Sequence, residues 1–124
     1  MALLLIALGF YGCSKIPVKE YSTTPVEMVT ASWYGPGFHG KRAADRSIYD
    51  QNKLTAAHKS LPFGTRLQVW RPGGSKSVIV TITDRGPYID GRHLDLSYAA
   101  AKQLDIIEPG TAQIYAQIVS IPGR

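Results

Sequence analysis

Apolar residues are distributed along this chain in three regimes. From Ala2 to Phe10 they run almost without interruption, and Tyr11, Gly12 and Cys13 follow directly. That run is too short to cross a bilayer as a helix. It has the length of the apolar region of a secretory leader, ending beside a small residue. From Ser14 to Glu27 no periodicity is visible, and Pro17, Ser22, Thr23, Thr24 and Pro25 mark a linker. From Met28 onward, short runs rich in Val, Ile, Thr and aromatics alternate with Gly and Pro. Such runs predict strands and such breaks predict turns. The clearest predicted strands are Arg66–Trp70, Ser77–Ile82 and Ala112–Ile118. Pro72-Gly73-Gly74 separates the first two and predicts a hairpin with a loop of several residues. Ser97 is suited to cap a helix that continues through Tyr98-Ala99-Ala100-Ala101-Lys102-Gln103-Leu104. A second helical turn is expected around Leu54–His58. Many short strands with few helices predict a mainly β fold closed as a barrel.

Composition narrows the partners. A chain of 124 residues holds one domain at most. Its formal charge of +5 favours an anionic surrounding: wall polymer, anionic lipid or nucleic acid. The basic residues are scattered from Lys15 to Arg124 and form neither a run nor a helix stripe, which weighs against nucleic acid. The single cysteine rules out an internal disulfide, and no Cys/His spacing reads as a metal site. No organic cofactor is indicated. A Gly immediately before Cys13 resembles the lipobox of bacterial lipoproteins, where the Cys is acylated and becomes the first mature residue. The expected organisation is a leader over residues 1 to 13 with a lipidated Cys13, a tether over 14 to 27 and a domain over 28 to 120. The expected setting is the cell envelope, with a monomer held to a membrane through its lipid and facing the periplasm.

Four stretches then stand in order. They are Ala31-Ser32-Trp33-Tyr34-Gly35; Leu54-Thr55-Ala56-Ala57-His58 with Leu61-Pro62-Phe63-Gly64-Thr65; Asp84-Arg85-Gly86-Pro87-Tyr88; and Asp95-Leu96-Ser97 with Ala99-Ala100-Ala101. Together they resemble the double-psi β-barrel domain of the rare lipoprotein A family, over roughly residues 29 to 119. The resemblance implies a six-stranded barrel with a groove across one face. It also implies lytic transglycosylase activity on peptidoglycan, particularly on strands lacking stem peptides.

Breaking a glycosidic bond needs an acid for the leaving oxygen and stabilisation of an oxocarbenium-like transition state. A lytic transglycosylase also needs a base for the muramyl 6-hydroxyl. One carboxyl group can play both parts in turn. Asp84 is the foremost candidate, because it ends the apolar strand Val78–Ile82 and matches the family's catalytic Asp. Partial desolvation there raises a carboxyl pKa, whereas pairing with Arg85 lowers it; the residues leave open which prevails. The competing role for Asp84 is to cap a tight Gly-Pro turn. His58, matching the family's His, is placed to bond a sugar hydroxyl or orient a carboxylate. Trp33 and Tyr34 offer faces for a pyranose ring or fill the core. Arg85 and Tyr88 join them as candidate glycan contacts. Asp95 is expected to hold the barrel or the helix start by hydrogen bonds. Gly35, Gly37 and Gly40 are expected to allow unusual backbone angles near the groove.

One departure bears on activity. The family's Glu, set before a Phe- or Tyr-Asp pair, is replaced here by Ser47, ahead of Tyr49-Asp50. A hydroxyl, with a pKa far above neutrality, cannot replace a carboxylate as acid, base or charge stabiliser. Asp45, two residues away, is a candidate to reach the groove. The sequence therefore supports a slow enzyme relying on Asp84, a barrel that binds wall glycan without cutting it, or a structural envelope lipoprotein.

Overall fold

The computed structural model describes residues 24 to 123. The leader, Cys13 and most of the linker lie outside the described residues. Six strands, β1 (Glu27–Trp33), β2 (Thr55–His58), β3 (Arg66–Trp70), β4 (Ser77–Asp84), β5 (Leu94–Leu96) and β6 (Thr111–Ser120), and one helix, α1 (Tyr98–Gln103), make up the domain. The strands close into a barrel in the order β1-β5-β2-β4-β3-β6. Two neighbouring pairs are parallel, β1 with β5 and β2 with β4; the rest are antiparallel.

Alternation along the strands builds the core. In β4, Val78, Val80 and Ile82 are buried while Ile79 and Thr81 between them are more open, as a period of two requires. Leu67, Val69, Leu94, Leu96 and Ile114 meet them inside, and Leu104 and Ile106 after α1 close one side. The hairpin expected at Pro72–Gly74 is the β3–β4 pair, with Trp70 opposite Ser77.

The segment expected to form a second helical turn is instead β2. It lies between β4 and β5, and Ala56 is paired with Ile82 on one side and Leu96 on the other. Alanine is the best helix former, but intrinsic propensity is a weak preference that ladder bonds to two flanking strands outweigh. Gly64, just ahead of β3, has φ +90°, and a Cβ there would lie 2.7 Å from the Pro122 side chain. Only glycine fits that turn without rearrangement.

Ser97 caps α1: its Oγ accepts from the backbone N–H of Ala100 at 3.3 Å. The same oxygen accepts from the N–H of Thr55 at 3.3 Å, which joins the helix start to β2. Because Ser97 is wholly buried, Ser97→Ala leaves both donors without their partner. The expected loss is about 1–2 kcal/mol, read as a thermal midpoint lowered by roughly 5–15 °C.

Candidate active site

Register brings four residues into one row. Ser32 of β1 is paired with Asp95 of β5, and Asp95 with Ala57 of β2. Ala57 is paired on its other side with Asp84 of β4. The residues flanking Ser32, Asp95 and Ala57 along their strands include Ala31, Leu94, Leu96 and Ala56, which belong to the core. The row Ser32–Asp95–Ala57–Asp84 therefore points away from the core, with Ser32 and Ala57 themselves buried and the two aspartates half-buried.

Asp84 reaches the row through a bulge. Ala56 is paired with Ile82, but Ala57 with Asp84, so Thr83 is the extra residue. Without it, the alternation of β4 would turn Asp84 inward after Val80 and Ile82. Bulges commonly re-aim a side chain in this way. The Thr83 carbonyl accepts from the N–H of Asp45 at 3.1 Å, which draws the β1–β2 loop over the bulge.

The Asp84 carboxyl is held by three donors. The Tyr34 hydroxyl donates to Oδ2 at 2.7 Å. The backbone N–H groups of Ala44 and Arg85 donate to Oδ1, each at 2.9 Å. Tyr34 packs against Tyr49, with ring centres 4.6 Å apart, and against Phe38 at 5.6 Å. Burial, together with the Asp84 carboxylate, pushes the Tyr34 phenol far above its usual range, so it stays a donor. Asp95 accepts from the Ser32 hydroxyl at 2.9 Å. Burial raises its pKa, opposed by the Ser32 bond and by Arg92, and the nearby Asp84 charge adds to the rise.

Asp45 and Ser47 satisfy each other. Both the N–H and the hydroxyl of Ser47 donate to Oδ1 of Asp45. Between them Arg46 takes a left-handed backbone, φ 75°. This tight turn sets the loop that delivers the Ala44 N–H to Asp84. Gly37 and Gly40 in the same loop have φ of 100° and 86°; Gly35 does not share that conformation.

The Arg85 side chain turns away from Asp84. Its guanidinium donates to the carbonyls of His58 at 3.2 Å and Leu61 at 2.8 Å. It also lies 3.9 Å from the centre of the Phe63 ring, a cation–π contact. His58 sits on the opposite side of the sheet from the row. It is paired with the core residue Leu94 and lines a cavity of about 320 Å³ with Val29, Leu67 and His93. Its Nδ1 accepts from the N–H groups of Ser60 and Leu61, both at 3.0 Å, so the neutral ring carries its proton on Nε2. Burial lowers the His58 pKa, followed by the charges of Arg85 and His93. Trp33, paired with Leu96, packs on the core beside Tyr98 at 5.7 Å. Tyr88 is 78% exposed on the loop after β4.

The structure thus gathers Asp84, Tyr34 and the Asp45–Ser47 turn, and leaves His58, Trp33 and the Arg85 guanidinium outside that cluster. Sequence reasoning did not single out Ser32 or the Ala44 N–H. The polar residue between two core leucines in Leu94-Asp95-Leu96 was the available signal for the row.

Comparison with known proteins shows the family and the fold. Residues 26–116 match the family model described as "Lytic transglycolase". Over 89 residues, 72% of this chain, it is 48% identical to the endolytic peptidoglycan transglycosylase RlpA of Campylobacter jejuni. Over 117 residues, 93% of this chain, it is 49% identical to a probable endolytic peptidoglycan transglycosylase RlpA of Aquifex aeolicus. The matches take up 32% and 48% of those relatives' own lengths, so the chain spans at most about half of either. Among solved structures, a variant expansin of Clavibacter michiganensis in complex with cellohexaose superposes with a TM-score of 0.62 at 23% identity, over 81% of this chain and 53% of that one. A Streptomyces papain inhibitor superposes with a TM-score of 0.63 at 19% identity, over 81% of this chain and all of that one. These two likenesses concern the fold.

Proposed function

Because this chain belongs to the lytic transglycosylase family of rare lipoprotein A, we propose that it cleaves peptidoglycan glycan strands by lytic transglycosylation, preferring strands without stem peptides. The observation that carries the reading is the setting of Asp84: a carboxyl aimed out of the barrel by a bulge and held on both oxygens by Tyr34, Ala44 and Arg85. Such a group is suited to take the proton of the muramyl 6-hydroxyl as that oxygen closes on the anomeric carbon. The fixed donors keep its orientation constant, so little reorganisation accompanies the step. His58 and Arg85 support the site by fixing the loop from His58 to Phe63. Tyr88, on the exposed loop beyond Asp84, is suited to contact a sugar face.

The setting that follows is the cell envelope, the location of the wall polymer. Anchoring through a lipidated Cys13, on the periplasmic face of a membrane, belongs to the same proposal. The net charge of +5 suits the anionic wall.

Incubating the full chain with peptidoglycan stripped of stem peptides, followed by mass spectrometry of the soluble sugars, tests the activity. Anhydro-muramyl ends are expected. Reducing muramyl ends in their place contradict transglycosylation. The second reading, a barrel that holds glycan without cutting it, rests on Ser47 standing where the family has Glu. Its signature is co-sedimentation with the wall and no released sugar.

A further inference from the structure

We propose that Asp95 is a second catalytic carboxyl of this site, donating the proton that the leaving glycosidic oxygen takes up while Asp84 receives the one from the muramyl 6-hydroxyl. The inference rests on the transglycosylase reading above and assigns a proton donor to it.

Three independent features carry it. The first is placement. Asp95 and Asp84 flank the same residue, Ala57, on β5 and β4. Two strand spacings set their Cα atoms about 10 Å apart. The intervening side chain is the buried methyl group of Ala57, and both half-buried carboxyls lie on the same side of the sheet. Glycoside-cleaving sites place two carboxyl groups on either side of the scissile bond, at separations of about 5–10 Å.

The second feature is the difference between the two environments. Asp84 accepts three hydrogen bonds, spread over both of its oxygens. Asp95 accepts one, from Ser32, on Oδ1. A carboxyl surrounded by donors is committed to accepting; one with an open oxygen has room for a proton. Paired carboxyls in unlike surroundings are how one site holds an acid and a base together. The groups facing Asp95 are Ser32 and Tyr34 from β1 and the residue after it, Asp84 from β4, Arg92 ahead of β5, and Tyr49 from the β1–β2 loop. Burial and the Asp84 charge favour its protonated form; Ser32 and Arg92 oppose that.

The third feature is the replacement of the family's Glu by Ser47. Ser47 is bonded to Asp45, with both bonds on Oδ1 inside the β1–β2 loop, away from the row. Asp95 is the remaining carboxyl in the row with Asp84.

The step balances without water. The Asp95 carboxylic acid gives its proton to the oxygen linking the two sugars. The bond from the anomeric carbon to that oxygen breaks, and its electron pair stays on the oxygen, which leaves as a hydroxyl. The muramyl 6-oxygen bonds to the anomeric carbon, and its proton passes to the Asp84 carboxylate. Return of the proton from Asp84 to Asp95 through solvent restores the site.

The test uses the full chain, denuded peptidoglycan and two variants. Asp95→Asn is expected to lower the rate of anhydro-muramyl release by about 10²–10⁴-fold, with co-sedimentation with the wall unchanged. Ser32→Ala removes the hydrogen bond that holds down the Asp95 pKa. It is expected to stay active, with the alkaline limb of its pH–rate profile moved to higher pH, because a stronger hold on the proton keeps an acid protonated longer. A structural role for Asp95 would not move that limb, so Ser32→Ala decides the matter even where Asp95→Asn lowers the thermal midpoint. Anhydro products from Asp95→Asn at near the original rate, or an unmoved limb in Ser32→Ala, overturn the assignment and leave the transglycosylase reading intact. An unmodified chain that releases no anhydro product overturns both.

Discussion

Asp84→Asn is expected to abolish most anhydro-muramyl release, by about 10²–10⁴-fold, while the barrel stays folded. The amide keeps the size of the carboxyl and one acceptor oxygen, so the Ala44 and Arg85 N–H groups retain a partner. It cannot accept a proton from a sugar hydroxyl at neutral pH. Its NH₂ group, in place of Oδ2, meets the Tyr34 hydroxyl as a donor, and that hydroxyl can turn to accept. Co-sedimentation with peptidoglycan is therefore expected to persist. Product yield by mass spectrometry and sedimentation on the same preparation separate chemistry from binding. Loss of both together would mean that Asp84 serves chiefly as the cap of its turn.

Arg85→Met is the substitution outside the row with the largest expected effect on stability. It removes two charge-assisted hydrogen bonds, to the carbonyls of His58 and Leu61, together with the contact on Phe63. Two carbonyls in a half-buried loop lose their donor. The expected cost is about 2–3 kcal/mol, a fall of roughly 10–20 °C in the thermal midpoint of a domain this size. The Arg85 charge also helps to hold the His58 pKa down. Its removal is therefore expected to move the His58 titration midpoint upward, toward the value of a free imidazole. Proton NMR of the ring across pH checks this, and an unmoved midpoint would show that the Arg85 charge takes no part in setting it.

Much of the fold was legible because it depends on local alternation. Val78, Val80 and Ile82 announce β4 by their spacing, and Ser97 announces α1 by its hydroxyl ahead of an alanine run. Leu54–His58 was not legible, because its four-residue strand owes its state to β4 and β5 on either side. Asp84 and Tyr34 could be nominated from the resemblance, but the contact between them spans fifty positions and exists only once the barrel closes. The role of Asp95 depends on register. A single extra residue, Thr83, decides whether Asp84 faces the same way, and nothing in the composition around Thr83 marks a bulge. Arg85 illustrates the converse. Its place beside Asp84 in the sequence left pairing between them open, whereas the strand end sends its side chain to the His58 loop.

In this mechanism two carboxyls of the row move protons so that the glycan closes on itself. Digestion of denuded peptidoglycan by the full chain in water enriched in heavy oxygen tests it most directly. Muramyl ends without heavy oxygen at the anomeric carbon are expected, because the bond formed there is to the sugar's own 6-oxygen. Heavy oxygen at that carbon would show that water is the nucleophile and would contradict it.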